Sequence, residues 1–512
     1  MTATAPGRGA TLASLISAIE GATLSGTAGG TALVAVPAGK LEPATHHLAV
    51  SGARLADFFA SGADPIVLRL VWALDNESQY LILDCELTGE IYPALSDIAP
   101  AAFYEECEVY EQFGVRPATG KPLNRVALPP HAGPDFPRLG NPPPRDPAEL
   151  HAPHTVGGHA FEFPFGPVRQ VGAESLYYGL VTSGEEVVDL YLFTWHKHRG
   201  LEYRLAGLTP RQALFYVERA EGLSSVAMGW AFLAAVESAL GIDPPPAAQR
   251  VRAVALELER LYNYAAATVA LCQSTGLAVG QSAAEIALER LLRLDAHALG
   301  HRYLFGVLEV GGVRRAPDVA ALRAGLAGAY GELCRAGEAL MATNSFVDRL
   351  EATGTITGEQ AVRLGLVGPV ARAAGLPIDT RLDHPIAPYA EHRPVRATWT
   401  SGDVLARFQV MRDEAADSVR LISDLLDAGT GTGAGSVPAK PGSGLGWAES
   451  PRGEALAWVS LDSAGRIARA RLRPASVRNW RGFDDACRSQ NVFTDIPIIE
   501  ASFWLTVAGT AR

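Results

Sequence analysis

The segment His196–Glu202 carries the densest set of reactive side chains in the chain. The imidazole of His198 can exchange a proton near neutral pH, the guanidinium of Arg199 can bind a carboxylate or carbonyl, and Glu202 can accept a proton. The segment follows a strand pattern and precedes a helical one, and such junctions can point polar side chains into a cleft. A capping turn with a salt bridge accounts for the same residues as well, so the sequence leaves both interpretations open.

Further charged residues have simpler explanations. Glu257 and Arg260 stand three positions apart on a long helical pattern, which favours an ion pair along one face of a helix. Arg372, Arg381 and Arg452 each lie in a short turn-like stretch. Taken one by one, these three arginines are typical of surface loops.

Two other segments suggest a ligand but lack the necessary context. His151, His154 and His159 lie in a proline-rich stretch without a thiolate or carboxylate at ligand spacing, which favours solvated loop histidines over a metal site. The glycine run 429–433 follows a helical pattern, and no helix begins after it, so it does not match a phosphate-binding loop. The chain also has no Walker lysine motif and no G-x-S-x-G elbow.

Composition excludes several classes of protein. The 512 residues include 44 basic and 55 acidic side chains, a net charge of −11, which argues against a nucleic-acid partner. The five cysteines are far apart and form no C-x-x-C pair, which predicts a reducing, cytoplasmic compartment. No secretory pattern and no apolar run of about 18 residues occurs, so we expect a soluble protein or one bound peripherally to a membrane.

The patterns that must position these residues predict an α+β chain in three parts. Residues 1–116 mix helix and strand and predict a small α/β domain. Residues 117–159 are rich in proline, which predicts a linker. Residues 160–512 predict a larger, mostly helical domain with small β elements. Within it, the Gly/Ser/Thr/Pro-rich stretch 429–446 predicts a flexible loop.

An ordered series of short motifs resembles one known arrangement. From about residue 155 to 512, the chain resembles the large catalytic subunit of energy-converting, membrane-bound nickel–iron hydrogenases. It is also similar to the homologous D-type, quinone-site subunit of respiratory complex I. The formate-hydrogenlyase branch is the most similar variety. The motifs, in chain order, are Phe163-Pro164-Phe165-Gly166-Pro167, His198-Arg199-Gly200-x-Glu202, Glu257-x-Glu259-Arg260-x-x-Asn263, Gly365-Leu366-Val367-Gly368-Pro369, Asp379-x-Arg381, Ser401-Gly402-Asp403, Glu449-Ser450-Pro451-Arg452-Gly453-Glu454 and Arg473-Pro474-x-Ser476-x-x-Asn479.

The N-terminal part resembles the C-type subunit of complex I, which that branch carries as a fused domain. Residues 106–114 stand where the family has E-R-E-x-x-D-x-F-G, with Cys107 in place of arginine and Glu111 in place of aspartate. The resemblance therefore implies a C-type-like domain fused to a D-type-like domain.

The thiolates of the family's metal centre are missing. Two C-x-x-C pairs hold nickel and iron in these hydrogenases, and soft sulfur ligands are what that centre requires. The corresponding positions hold Glu221 and Ser224 in the first pair, and Thr506 and Gly509 in the second. We therefore predict no nickel–iron centre and no hydrogen activation.

The resemblance also implies where a small acceptor would bind. Complex I docks a quinone headgroup in the vacated cavity with the histidine of a G-P-Q-H-P loop, and Arg169 stands at that histidine position. Arginine can donate a hydrogen bond but cannot release its proton near neutral pH. By position, the resemblance implies Glu221, Arg452 and His198 as catalytic residues, and Arg169, Glu174, Arg199 and Ser224 as binding residues for a possible quinone.

Two functions follow as hypotheses. In the first, the chain is a peripheral redox subunit on the cytoplasmic face of a complex I-like membrane assembly, beside a small iron–sulfur subunit and antiporter-like membrane subunits. In the second, it is a non-catalytic subunit that bridges the iron–sulfur subunit and the membrane arm. The chain is expected to hold no cofactor of its own, and NAD would bind another subunit, because no dinucleotide fingerprint occurs.

Overall fold

The computed structural model describes residues 11–129, 132, 136–140, 160–169, 174–433, 435–488 and 490–512. His151, His154 and His159 lie outside the described residues, as does much of the predicted linker 117–159.

The first region is a five-stranded mixed sheet with short helices. The strand order is β1-β2-β5-β4-β3, in which β2 and β5 are parallel and the other neighbours are antiparallel. The turn at residues 75–78 joins β4 to β5, as the sequence predicts. The elements are α1 (Leu12–Ser17), β1 (Thr23–Ala28), β2 (Thr31–Ala35), α2 (Leu41–Val50), β3 (Arg54–Ser61), β4 (Val67–Leu74), β5 (Gln79–Glu86), β6 (Ile91–Pro93), α3 (Phe103–Phe113) and β7 (Arg116–Ala118).

The second region is mostly helical. Its described residues form two three-stranded antiparallel sheets, ordered β10-β9-β8 and β13-β14-β15, and a two-stranded antiparallel sheet of β11 and β12. Its strands are β8 (Phe161–Phe165), β9 (Tyr177–Ser183), β10 (Glu186–Phe193), β11 (Leu308–Glu309), β12 (Gly312–Val313), β13 (Gly442–Ser450), β14 (Gly453–Leu461) and β15 (Ile467–Arg473). Its helices are α4 (Leu201–Leu205), α5 (Pro210–Val217), α6 (Ser225–Leu240), α7 (Pro246–Thr275), α8 (Ala278–Leu299), α9 (Val319–Met341), α10 (Asn344–Leu350), α11 (Gly358–Leu364), α12 (Gly368–Ala373), α13 (Thr380–Asp383), α14 (Ala387–Glu391), α15 (Val404–Asp427), α16 (Ala475–Arg488), α17 (Ile496–Phe503) and α18 (Val507–Thr510). The α+β architecture agrees with the prediction.

The prediction of a flexible loop over residues 429–446 is wrong in its last part. Residues 442–450 form β13, which lies directly on α6. A Cβ atom on Gly442, Gly444 or Gly446 would come within 2.4 Å of a carbonyl oxygen of α6. Glycine is therefore required because the strand and helix backbones almost touch, and not because the chain is flexible.

Buried ion pairs join the two regions. Arg471 of β15 pairs with Asp57 of β3 at 2.9 Å and with Glu108 of α3 at 2.7 Å. Glu454 of β14 accepts hydrogen bonds from Arg54 and Tyr80, both at 2.8 Å. The N-terminal sheet is thus fixed directly to the sheet that carries Arg452. Among the described residues, no helix is long and apolar enough to cross a membrane.

Candidate functional site

The four positions that the resemblance assigns to the cysteines of the hydrogenases lie together in this chain. Glu221 and Ser224 precede α6, while Thr506 and Gly509 lie at α18. The Oε1 atom of Glu221 accepts hydrogen bonds from the hydroxyls of Ser476 and of Thr506, the latter at 3.4 Å. A Cβ atom on Gly509 would lie 3.1 Å from the same oxygen. A carboxylate, two hydroxyls and a glycine do not provide the bridging sulfurs of a nickel–iron centre.

Arg452 covers this group from the turn between β13 and β14. Its Nη1 donates to the Oγ of Ser224 at 2.6 Å, and its Nε donates to the backbone oxygen of Trp504. The guanidinium also lies 5.6 Å from the centre of the Trp504 ring. Arg452 is almost fully buried, and its described side-chain partners are a hydroxyl, a carbonyl and a ring rather than an acid.

Glu174 and Arg199 hold the two loops of the site in place. Arg199 donates to the backbone oxygens of residues 219 and 220 before Glu221, and of residues 508 and 511 at the end of the chain. Glu174 accepts from the backbone N–H groups of Val507 at 2.5 Å and Ala508 at 2.9 Å, and pairs with Lys197 at 2.8 Å. Their polar atoms are engaged with the chain itself, so the geometry gives both a positioning role.

His198 lies in a different environment, near the N-terminal region. Its ring is 5.6 Å from that of Phe136, and burial lowers the pKa of its imidazole. The charged groups that act on it are Glu108, Glu202 and Arg512. Among the described contacts of His198, none joins it to Glu221, Ser224 or Arg452.

Arg169 lines a cavity of about 800 Å³ beside the site. Its guanidinium pairs with Glu500 through two hydrogen bonds, of 2.9 and 2.7 Å. Its Nε is buried and has no hydrogen-bond partner among the described residues. Trp504 lines the same cavity, and its backbone oxygen accepts a hydrogen bond from Arg452. The remaining lining is mainly apolar and aromatic: Phe165, Val168, Tyr178, Leu180, Ala270, Gln273, Ser274, Phe493, Ile496, Pro497, Ala501 and Leu505.

A cluster of buried charges supports the Arg452 turn from below. Arg260 donates to the backbone oxygens of Glu449 at 2.7 Å and Ser450 at 3.2 Å. Arg372 contacts the Glu449 carboxylate at 2.8 Å. The other members are Glu257, Asp379, Arg381 and Glu414, all buried. The interpretation of Arg372, Arg381 and Arg452 as surface-loop residues is therefore wrong, because all three are buried. Carboxylates distant in sequence pair with Arg372 and Arg381, whereas Arg452 contacts Ser224 and Trp504.

Asn263 and Glu259, one helical turn apart on α7, connect the parts of the site. The Nδ2 of Asn263 donates to the backbone oxygen of Leu223 at 2.7 Å, while its Oδ1 accepts from the Trp504 indole at 3.0 Å. Glu259 accepts from the first N–H groups of α6, on Val226 at 2.6 Å and Ala227 at 3.0 Å. Sequence reasoning assigned no role to Glu500, and it named Asn263 and Ser476 only as members of the ordered motifs. The i, i+4 spacing of Glu259 and Asn263 was a signal that they share one face of a helix.

Burial raises the pKa of Glu259 to about 7. Because the folded state then binds more protons than the unfolded state, this group's stabilising contribution is complete below about pH 4.5 and disappears as the pH rises through about 7. Across that interval, we expect the free energy of unfolding of the wild type to fall by about 3 kcal/mol more than that of Glu259→Gln. Denaturant unfolding at a series of pH values measures it. The same pH dependence in both proteins would contradict the assignment.

Comparisons with known proteins are consistent with this geometry. Residues 286–436 match the family model of the respiratory-chain NADH dehydrogenase 49 kDa subunit. Formate hydrogenlyase subunit 5 of Escherichia coli is 28% identical over 80% of this chain and 75% of its own length. The carbon monoxide-induced hydrogenase of Rhodospirillum rubrum is 29% identical over 69% of this chain and 99% of its own length. A chain of the archaeal membrane-bound sulfane sulfur reductase shares the fold, with a TM-score of 0.65 and 23% identity over 69% of this chain and 99% of that chain.

The fold thus resembles that of the hydrogenase large subunits. Residues 286–436 match the model of the complex I 49 kDa subunit family, and the chain is similar to formate hydrogenlyase subunit 5 over most of its length, which confirms the resemblance seen in the sequence.

Proposed function

We propose that this chain is the large subunit of a complex I-like, hydrogenase-related respiratory membrane complex, and that a small acceptor such as a quinone binds in the cavity beside Arg169. Homology with a formate hydrogenlyase subunit and with the 49 kDa family supports the class of complex. The donor set at positions 221, 224, 506 and 509 supports a function without hydrogen activation.

The cavity is the observation that carries the proposal. Its volume of about 800 Å³ and its aromatic and aliphatic walls suit a lipophilic ring compound. The guanidinium of Arg169 lies in the wall of the cavity, where Glu500 holds it through two hydrogen bonds, and a carbonyl oxygen would be a further acceptor for its terminal N–H groups. Arg169 orients the acceptor but does not protonate it, so the proton must come from another group.

The proposed partners follow from the same homology. A small iron–sulfur subunit would deliver electrons, since the chain has no C-x-x-C pair for a cluster of its own. Antiporter-like subunits would anchor the assembly in the membrane, with this chain on the cytoplasmic face.

A specific observation favours the second candidate, a structural or coupling subunit. The polar groups at the former metal site are already paired with each other, Glu221 with Ser476 and Arg452 with Ser224. A ligand that bound to Ser224 or to the Oε1 of Glu221 would have to displace one of these hydrogen bonds, and only the Oε2 of Glu221 has no partner among the described residues of the group. The two candidates differ in what they require of the cavity. Only the first candidate requires that a ligand occupies it.

Photoaffinity labelling of the native complex tests the proposal. The tagged chain is purified in mild detergent, its companions are identified by mass spectrometry, and an azido-quinone is photolysed in the preparation. We expect labelling within residues 493–505, competed by unlabelled quinone and reduced about tenfold or more in Arg169→Met. The matched control Arg290→Met removes an arginine of the exposed Arg290–Glu332 pair and retains labelling. Labelling that is absent from an assembled, active complex would support the structural candidate.

A further inference from the structure

A second cavity, of about 190 Å³, lies between α7, α9 and α15, and its described lining residues differ from those of the cavity of the proposed acceptor. Its walls are aromatic and aliphatic, with Phe408, Met411 and Leu333 almost fully buried. Asp413 and Ala416 also line it and are exposed, so the cavity opens to solvent on the side of α15. Since a cavity of about 150 Å³ accommodates benzene, this one has room for a single ring with a small substituent.

The wall of this second cavity carries a cation that no carboxylate compensates. Arg412 of α15 is half-buried, and its Nη1 donates to the neutral amide oxygen of Gln409 at 3.0 Å. None of the ion pairs between described residues, taken to a distance of 4.0 Å, includes Arg412. The neighbouring Asp413 accepts from the indole of Trp399 at 3.0 Å instead. A positive charge in an otherwise apolar wall favours an anionic ligand.

The neighbours of Arg412 hold its guanidinium along the wall of the cavity. The central carbon of the guanidinium lies 5.9 Å from the ring centre of Phe408, and a Cβ atom on Gly337 of α9 would lie 3.2 Å from the Nε. Phe408 and Gly337 both line the cavity, so the Arg412 side chain runs along it. Glycine inside a helix costs about 1 kcal/mol relative to alanine, and at position 337 the missing side chain leaves the space that Arg412 occupies.

Tyr264 of α7 connects the second cavity to the Arg452 turn. It lines the cavity and is 2% exposed. Its hydroxyl is hydrogen-bonded to the buried carboxylate of Glu414 and lies 3.2 Å from the backbone oxygen of Pro451, directly before Arg452. An occupant of the cavity thus contacts a side chain that also holds this turn.

Cys334 of α9 provides a reporter in the wall of the same cavity. It is half-buried, whereas the other four cysteines of the chain are buried. Its thiol lies 3.5 Å from the exposed carboxylate of Glu338, and burial together with this carboxylate raises the pKa of the thiol. The thiol is therefore a slow nucleophile near neutral pH, which argues against a covalent ligand, but an alkylating reagent at higher pH can report whether the cavity is occupied.

We propose that this second cavity binds a small aromatic monocarboxylate, with its carboxylate on the guanidinium of Arg412 and its ring against Phe408 and Met411. A carboxylate and a guanidinium form charge-assisted hydrogen bonds, which are about twice as strong as neutral ones. The exposed carboxylates of Asp413 and Glu338 lie nearby and favour a ligand with a single negative charge. The site goes beyond the proposed function and does not depend on it, because the proposed acceptor binds in the other cavity.

Alkylation of Cys334 in the full-length chain tests the proposal, with benzoate as the probe. The rate at which iodoacetamide labels the peptide that contains Cys334 is measured by mass spectrometry at about pH 8.5, where the thiolate fraction is larger than at neutral pH. Benzamide, a neutral compound of nearly the same shape, is the matched comparison. We expect about 20 mM benzoate to slow the labelling about fivefold or more, and the same concentration of benzamide to slow it less than about twofold. Alkylation of free glutathione in the same solutions controls for the reagent.

Two variants test the role of the guanidinium. Arg412→Met should lose the protection by benzoate, while Arg335→Met should retain it, because Arg335 also lies on α9 but has a side chain that is 64% exposed. The rates with and without benzoate are compared within each protein, so a change in the reactivity of the thiol itself cancels. If Arg412→Met fails to fold, the difference between benzoate and benzamide in the wild type still decides the point. Absence of protection by benzoate in the wild type, equal protection by benzamide, or unchanged protection in Arg412→Met overturns the proposal.

Discussion

An Arg372→Met variant will lose at least about 3 kcal/mol of folding free energy. Arg372 is fully buried and contacts the carboxylates of Glu414 at 2.6 Å and Glu449 at 2.8 Å, and it donates to the backbone oxygen of Ile378 at 2.6 Å. Methionine fills much of the same volume but removes the cation that Glu414 and Glu449 share, and it leaves Glu414 with Arg260 alone, at 3.6 Å. The loss of folding free energy comes mainly from negative charge that stays buried with less compensation. This penalty is larger than the energy of any single lost contact.

Denaturant unfolding of the full chain, with Arg293→Met as the control, measures this loss. Arg293 pairs with Glu289 at 2.7 Å, but its side chain is 76% exposed, so its removal should change the free energy of unfolding by less than about 1 kcal/mol. Equal effects of the two substitutions would mean that the buried cluster does not stabilise the fold. Because the cluster supports the Arg452 turn, we also expect Arg372→Met to loosen the site before global unfolding.

Ala501→Phe will reduce quinone-dependent turnover of the native complex about tenfold or more, while the complex still assembles. Ala501 lines the cavity from α17, near Glu500 and Trp504. A phenyl ring at this position occupies space that the acceptor requires. We expect this to weaken the binding free energy of the acceptor by more than about 1.4 kcal/mol. The substitution adds an apolar group to an open cavity, so the folded core itself is not overpacked.

Turnover and subunit composition are measured on the same preparation, and Ala324→Phe provides the control. Ala324 is exposed on α9, far in sequence from the cavity residues of α17, and the added ring should leave turnover unchanged. Full activity of Ala501→Phe in an intact complex would contradict acceptor binding in this cavity. If the partner subunits were lost from Ala501→Phe but not from Ala324→Phe, the cavity would instead be needed for assembly of the complex.

Local signals in the sequence determined much of the framework. Thr209 and Gln212 form the capping box that begins α5, and the turn before β5 lies where polar residues interrupt two apolar runs. The ordered motifs carried the family assignment, because each keeps its residue types at fixed local spacing. These features depend on neighbours within a few residues, which a sequence displays directly.

Only the tertiary structure decided which charges are buried and how the residues at positions 221, 224, 506 and 509 come together. Arg372 and Glu449 are 77 positions apart, and Glu221 and Thr506 are 285 apart, so no local pattern reveals that they meet. Long separations in the sequence also conceal that Trp504 both lines the cavity and contacts Arg452, and that Glu500 is the partner of Arg169. A charged residue in a turn has the same sequence pattern whether water or a distant carboxylate compensates it. Long-range packing alone chooses between the two, because the stability of a buried charge depends on partners that only the complete fold brings into contact.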